Sequence, residues 1–419
     1  MPRITTNRTA IINALVAILF SLATVAHAAE PAEPHRVLRP PPRVDADFPG
    51  GNIVVDSIAG DTVTLHQDLR DTEGNWFYWY FRVRGAAGRT LEFRFTESNA
   101  SGTRGPALSL EGGKTWAWLG TNAVKGKTFT CAIPLEAREA RFCFAIPYLE
   151  SNLKDFLKRH RSNRNLKAET LCQTPKGRKV ELLRLGRLDG DAEYCVLLTC
   201  RHHACEMIAS YSLEGIMDEV LGDTNEGRWL REHVEFFVVP FMDKDGVEEG
   251  DQGKNRKPHD HNRDYDGESR YASVRAVREL VTRRLGSRKI AFALDLHCPS
   301  IRGPNNERIY FVGGPDQANW ARVGEFAKVL EAEQRGPLHY RAADNLPYGQ
   351  AWNTLEGLPR SFGRWAAAQP NVRVGTSLEI PYANVSETTV TPQNARAFGH
   401  DLARALTHYL LSPQTAERQ

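Results

Sequence analysis

From Phe48 to Pro147 the chain is dominated by short β patterns, at Ile53–Val55, Thr62–Leu65, Trp76–Val83, Thr90–Phe95 and Arg141–Ile146, with apolar residues at every second position in Thr62–Leu65 and Thr90–Phe95. Gly, Asp and Asn fall between the runs. That period suits half-buried strands joined by tight turns, and no stretch there carries a helical period. Two packed antiparallel sheets are the natural solution for about 100 such residues. Trp116 and Trp118 alternate with small residues, so they are either core aromatics or one face of a carbohydrate-binding surface.

After Tyr148 the pattern changes. Apolar runs at Val180–Leu185, Tyr194–Thr199, Val234–Val239, Ile290–Leu296, Arg308–Val312 and Val374–Ile380 predict strands. Between them, amphipathic stretches predict helices at Leu149–Arg159, Glu206–Leu221, Ser269–Leu285, Ala318–Glu333 and Pro392–Leu410. Continuous apolar strands between such helices belong to a sheet covered on both faces. The fold class expected is α/β, a mixed, largely parallel sheet flanked by helices and preceded by a small all-β sandwich domain. Ligands of such sheets sit beyond the carboxyl ends of strands, where His203, His297 and Glu379 fall.

The first residues have a different character. Arg3 and Arg8, the apolar run Ile11–Ala23 and Ala26-His27-Ala28 follow the order of a signal peptide cut after Ala28. The apolar run is short for a bilayer span, which favours export to the periplasm or medium over a membrane anchor. The chain then divides into 1–28 (signal peptide), 29–47 (Pro-rich linker), 48–148 (sandwich), 149–412 (α/β domain) and 413–419 (tail). A net charge of +3 over 419 residues speaks against a nucleic-acid surface or a membrane-binding stripe. Seven cysteines are an odd count for an exported chain. Cys131 and Cys143 lie at opposite ends of an apparent strand pair and are candidates for a bridge; the alternative is buried free thiols.

The candidate chemistry begins where the run Tyr194–Cys200 ends, at Arg201-His202-His203-Ala204-Cys205-Glu206. His-x-x-Glu at the mouth of a helix offers an imidazole and a carboxylate one turn apart, which suits Zn²⁺ once a third ligand is found. Asp295-Leu296-His297 closes another apolar strand and offers that ligand. A basic loop follows, with Gly253-Lys254-Asn255-Arg256 and then His261-Asn262-Arg263-Asp264-Tyr265. It is either a solvated surface or a carboxylate-binding pair of arginines, for which the planar guanidinium is suited. In Thr376-Ser377-Leu378-Glu379-Ile380-Pro381 a single acid lies within an apolar strand, a place where proton affinity is tuned by burial.

In this order the fragments resemble the zinc carboxypeptidases related to carboxypeptidase A. The closer resemblance is to the branch of cytosolic carboxypeptidases, in which a β-sandwich precedes the catalytic domain. Trp76-Phe77-Tyr78 and Phe142-Cys143-Phe144-Ala145-Ile146-Pro147-Tyr148 match that sandwich and its exit. The resemblance implies one Zn²⁺ on His203, Glu206 and His297, with Asn262 and Arg263 holding the substrate's terminal carboxylate. It implies that Arg256 polarises the scissile carbonyl and that Glu379 is general base and then acid. Asp295 becomes either an acceptor behind His297 or a structural ion-pair partner. His202, next to a ligand on an extended chain, is expected to face away as a bystander. Tyr348 is the candidate for the tyrosine that closes over substrate in some relatives. Arg364, with Arg360 as alternative, is the candidate receptor for an acidic C-terminal side chain.

Two departures stand out. Ala204-Cys205 replaces the branch's Pro-Gly inside His-x-x-Glu, and Asp243-Lys244-Asp245-Gly246 replaces Asn-Pro-Asp-Gly. The function expected is an exported zinc metallocarboxypeptidase acting on peptide or protein C-termini, with a preference for acidic final residues. It needs no nucleic acid and no membrane anchor after signal cleavage, and the sequence sets no oligomeric state. The competing readings are a zinc amidohydrolase or deacylase acting on N-acyl amino acids or cell-wall peptides, and a non-catalytic binding relative. The intact ligand set speaks against the last.

Overall fold

The two-residue period of the N-terminal part forms strands almost throughout. The computed structural model describes residues 40–354 and 360–412. In chain order the strands are β1 (Arg43–Asp45), β2 (Val54–Ala59), β3 (Thr62–His66), β4 (Tyr80–Arg84), β5 (Thr90–Phe95), β6 (Ala107–Ser109), β7 (Ala117–Trp118), β8 (Val124–Lys125), β9 (Thr128–Ala132) and β10 (Glu139–Cys143). They make two sheets, ordered β1-β4-β10-β6-β7 and β2-β3-β5-β9-β8. Neighbours are antiparallel except β3 and β5, which run parallel. Leu91, Phe93 and Phe95 of β5 alternate inward and meet Phe129 and Phe142 between the sheets; the Phe93 and Phe129 rings stack at 4.7 Å. Aromatic pairs of this kind add about 0.5–1.5 kcal/mol beyond the area they bury.

Three expectations for this region need correction. β1 lies inside the segment read as linker, because Arg43–Asp45 pairs with β4 and Asp45 binds Arg82 and Arg84. Trp76–Trp79 is not strand. There the backbone N–H of Tyr78 donates to Gln252 Oε1 (2.7 Å) and its carbonyl accepts from Gln252 Nε2 (2.8 Å), so a side chain of the following domain takes the place of a sheet neighbour. Cys131 and Cys143 lie on different sheets and are free thiols, as are the other five cysteines. Trp116 and Trp118 are half-buried against the core rather than arrayed on an open face, and Trp118 Nε1 donates to the carbonyl of Val390 at 2.8 Å.

The second part is built on seven strands: β11 (Leu166–Gln173), β12 (Lys179–Gly186), β13 (Tyr194–Cys200), β14 (Val234–Val239), β15 (Ile290–His297), β16 (Tyr310–Val312) and β17 (Gly375–Glu379). Their order is β11-β12-β14-β13-β15-β17-β16. The central four run parallel, and antiparallel strands close both edges. Every residue of β13 and β15 is buried, as a sheet covered on both faces requires. β11 escaped the sequence reading because it is an edge strand with no buried residue, so its apolar signal is weak.

Among the described residues eight α-helices accompany the sheet: α1 (Glu150–Arg159), α2 (Met207–Leu221), α3 (Asn225–His233), α4 (Lys244–Glu249), α5 (Ala272–Glu279), α6 (Gln317–Glu333), α7 (Phe362–Ala367) and α8 (Pro392–Leu411). α5 ends in a π-helical turn, Leu280–Arg284. α2 and α8 pack backbone to backbone, since a Cβ at Gly215 would strike the Arg396 carbonyl and one at Gly399 that of Ser212. That close crossing fixes the start of α2, and with it Glu206 at the N-cap.

From Pro41 onward the chain is one compact unit. The sandwich and the α/β part share a polar seam, where Asn52 Nδ2 donates to the Gly250 carbonyl (2.7 Å) and Gly50 N to that of Glu248 (2.8 Å). The expected signal peptide, the start of the linker, Gly357–Pro359 and the 413–419 tail lie outside the described residues. Among the described residues, no helix is long and apolar enough to cross a membrane.

Candidate active site

β13 delivers the chain to the site, and Arg201 turns it. Arg201 has φ 62°, a left-handed conformation that costs a residue with a Cβ about 1–2 kcal/mol. Its buried guanidinium holds the turn by donating to the carbonyls of Tyr148 (2.8 Å) and Ala204 (3.1 Å) and to Ser210 Oγ (3.2 Å). The turn brings His203 back onto Glu206, with Nδ1 2.9 Å from Oε1. The last residue of β15 completes the group: His297 Nδ1 lies 2.6 Å from Glu206 Oε2. One potential ligand atom from each of the three lies within 4.8 Å of the others, and all three residues are buried.

Each histidine has a carboxylate on its far side. Asp295 Oδ2 is hydrogen-bonded to His297 Nε2, and Asp260 Oδ2 lies 3.6 Å from His203 Nε2. Such acceptors fix the tautomer and orientation of a ligating imidazole. Burial alone would raise the Asp295 carboxyl, but His202 and His297 override it and hold it well below the carboxylate range. Burial opposes charge on His297 too, yet Asp295 and Glu206 raise its pKa well above the ordinary value. Glu206 follows the same rule, its burial overcome by Lys254, His203 and His297.

Glu379 ends β17, level with His297 in the sheet register. Its Oε2 is buried with no hydrogen-bond partner, and burial together with the Glu206 carboxylate raises its pKa. These groups line a cavity of about 990 Å³ that His203, Lys254, Asn262, Arg263, His297 and Glu379 share. Asn262 sits in a single 3₁₀ turn, His261–Arg263, with Nδ2 3.2 Å from His297 Nε2 and Oδ1 accepting from Phe362 N (2.9 Å). Arg263 donates to the Asn262 carbonyl at 2.8 Å. Tyr348 and Arg364 also reach the cavity wall, where the guanidinium lies 4.9 Å from the ring centroid. Arg360 lines it too but is paired with Asp266.

Arg256 is not brought to the cavity. Its guanidinium is held by Asp243, by Asp251 (2.9 Å) and by Asp71 of the sandwich (3.6 Å), so it acts as the hub of an acidic cluster. His202 is not a bystander either. It is fully buried, with Nδ1 2.8 Å from Asp295 Oδ1 and Nε2 2.8 Å from the Tyr265 hydroxyl. The cysteine beside the ligands, Cys205, is fully buried, and burial pushes its thiol up to about 12, which disfavours the thiolate.

The sequence reading missed four residues: Lys254, Asp260, Tyr310 (opposite Glu379 in the register) and Trp76 of the sandwich, all of which line the cavity. Only Lys254 had a signal, its place in the basic loop. The donor set fits zinc: two imidazole nitrogens and a carboxylate converge, each imidazole backed by an acid, beside a buried carboxylate oxygen with no protein partner. A second grouping, His202, Asp295 and His297, has its polar atoms already bonded to one another and to Tyr265 and Thr199.

Comparison with known proteins gives the same picture. Residues 153–297 match the zinc carboxypeptidase family profile. Cytosolic carboxypeptidase 3 of Mus musculus is 29% identical over 217 residues, which are 50% of this chain and 21% of that protein. Cytosolic carboxypeptidase 2 of Xenopus tropicalis is 25% identical over 389 residues, 83% of this chain and 39% of that one. The chain therefore spans well under half the length of either relative. A metallo-carboxypeptidase from Burkholderia cenocepacia superposes with a TM-score of 0.72 at 20% identity, covering 88% of this chain and 98% of the other. That extent takes in the N-terminal sheets as well as the α/β part.

Proposed function

We propose, for a chain whose residues 153–297 carry the zinc carboxypeptidase domain, that it hydrolyses the C-terminal bond of peptides with a free terminal carboxylate. The observation that carries this reading is the partnerless Glu379 Oε2, buried beside the His203, Glu206 and His297 group in a cavity that also receives Arg263. His203, Glu206 and His297 would hold the zinc ion. When bound, the ion supplies Lewis acidity toward the scissile carbonyl and lowers the pKa of water to about 7.

The chain's own residues do the rest. Arg263 and the Asn262 side chain bind and orient the terminal carboxylate, and the guanidinium fork matches it bidentately. Glu379, its proton affinity raised by burial, takes the proton of the attacking water and returns it to the leaving amine. Arg364 beside Tyr348 supports a preference for acidic final residues, by offering a guanidinium in a concave wall. The N-terminal order of basic, apolar and Ala-x-Ala residues supports export.

The test is zinc analysis of the purified chain combined with trimming of a peptide library. One zinc per chain and stepwise loss of C-terminal residues are expected. Amidating the terminus of a good substrate leaves Arg263 without its anion, and loss of a charge-assisted bond of about 1.5–3 kcal/mol lowers kcat/KM at least tenfold. Equal cleavage of free and amidated peptides would overturn the carboxypeptidase reading in favour of an endopeptidase or deacylase.

A further inference from the structure

A largely shielded cation on the cavity wall has no part in the chemistry described so far. Lys254 lines the cavity, and its Nζ donates to Glu206 Oε1 at 2.7 Å, so one of its three donors is committed. Glu379 lies in the same electrostatic field, and the Trp76 ring sits 5.3 Å from Nζ.

The loop that carries it is fixed from two sides. Gly253 has φ 74°, and a Cβ there would strike the backbone nitrogen of Ala204, inside the loop that carries His203 and Glu206. From the sandwich, Asp71 accepts from Gln252 N (3.1 Å) and Gly253 N (2.9 Å), and Thr72 Oγ1 donates to the Lys254 carbonyl. The backbone that carries the ammonium is thus fixed from both sides, and Nζ itself is held between Glu206 and the Trp76 ring at the cavity wall. Neutralising Glu206 does not account for it. A divalent cation on Glu206 supplies that charge itself, and a second cation alongside is then repelled unless further negative charge develops.

We propose that Lys254 is a catalytic residue of this hydrolase, donating to the scissile carbonyl oxygen as negative charge builds on it; the proposal rests on the carboxypeptidase reading. In that step the water oxygen bonds to the carbonyl carbon and the carbonyl π pair moves onto its oxygen. The water proton passes to Glu379. Lys254 keeps its own proton and strengthens its hydrogen bond to the new oxyanion. The C–N bond then breaks, the pair returns to form C=O, and Glu379 delivers its proton to the departing nitrogen. Sequence order assigned this task to Arg256, but that guanidinium is committed to three aspartates away from the cavity. A donor preorganised toward developing charge is worth about 10²–10³-fold in rate.

The experiment uses the zinc-loaded enzyme and Lys254→Met, with Lys254→Gln as a second variant should the first fail to fold and Lys254→Arg as the conservative change. Zinc content, kcat and KM on a free-terminus peptide, and affinity for two peptide isosteres are measured. One isostere is an anionic phosphonate, the other a neutral ketomethylene. Lys254→Met is expected to keep its zinc, lose about 10²-fold or more in kcat with little change in KM, and lose phosphonate affinity in parallel. Ketomethylene affinity should hold, and Lys254→Arg should recover part of the rate. Unchanged kcat, a rate loss without loss of phosphonate affinity, or loss of zinc would each overturn the assignment. A wild-type chain that holds no zinc or trims no peptide fails at the earlier step, and that result removes the carboxypeptidase reading itself.

Discussion

Two histidine–carboxylate clusters lie back to back at the carboxyl ends of β13 and β15, and they differ in what is left unbonded. Behind the cavity, His202 spends both ring nitrogens on Asp295 and Tyr265, and Asp295 also accepts from Thr199 Oγ1 at 2.8 Å. Every polar atom there has a protein partner, and the cluster is closed. In front, His203, Glu206 and His297 converge on a common point beside an unpartnered Glu379 oxygen, in contact with the cavity. Buried polar groups are mostly kept bonded, and the Glu379 oxygen is left without a protein partner beside the cavity. The first cluster is closed on itself, and the second opens on the cavity.

The largest expected effect falls on the open cluster. Glu379→Gln should keep its zinc and lose about 10²–10⁴-fold in kcat, the range for removing a general base. His203→Ala should lose both zinc and activity, because two ligands remain where three are needed. Metal analysis beside steady-state kinetics separates the two outcomes, and retained turnover in Glu379→Gln would sink its role as base.

A smaller effect is expected from the closed cluster, and it tests whether that cluster serves the metal. Asp295→Asn should weaken zinc affinity by about 10–100-fold, as measured by chelator competition, while the fold persists. His202→Phe leaves the Tyr265 hydroxyl and one Asp295 oxygen with fewer partners. It should cost about 1–3 kcal/mol of stability by denaturant titration. If His202→Phe abolished zinc binding while Asp295→Asn did not, the ligand set itself would have to be redrawn around His202.

How far these clusters were legible depended on whether the backbone stayed regular. Glu206, His297 and Glu379 could be read because each closes an apolar strand or opens a helix, so position along the element fixed position in space, and His203 followed from its His-x-x-Glu spacing to Glu206. His202 was misjudged by the same rule. Alternation of faces holds on an extended chain, but Arg201 at φ 62° breaks the extension and folds both imidazoles inward, His202 onto Asp295 and His203 onto Glu206. Arg256 and Lys254 lie on a loop held largely by the sandwich, through Asp71 and Thr72. No local period encodes contacts made across more than 180 residues, so Arg256 was expected at the cavity, where the structure places Lys254 instead. The sandwich itself was legible from its alternation, but its contribution to the site was not. Trp76 lines the cavity on a non-strand segment whose Tyr78 backbone is bonded to Gln252 of the following domain.

The smallest expected effect concerns the rim of the open cluster, where Arg364 and Arg360 compete for one role. Both line the cavity, yet their surroundings differ. Arg360 is bound to Asp266 through its backbone N–H and its side chain, so a substrate carboxylate would have to displace an anion already in place. Arg364 lies over the Tyr348 ring and donates to Asn353 Oδ1 at 3.2 Å, on the cavity wall. A charge-assisted bond to an acidic side chain is worth about 1.5–3 kcal/mol, screened here by the open cavity mouth, so selectivity of roughly tenfold is expected. Peptides that differ only in their final residue should be cleaved fastest when that residue is Glu or Asp. The advantage should vanish in Arg364→Ala, persist in Arg360→Ala, and shrink with added salt. A preference for Lys, Arg, Phe or Leu, or an acidic preference untouched by Arg364→Ala, would assign the rim no part in selecting the final side chain.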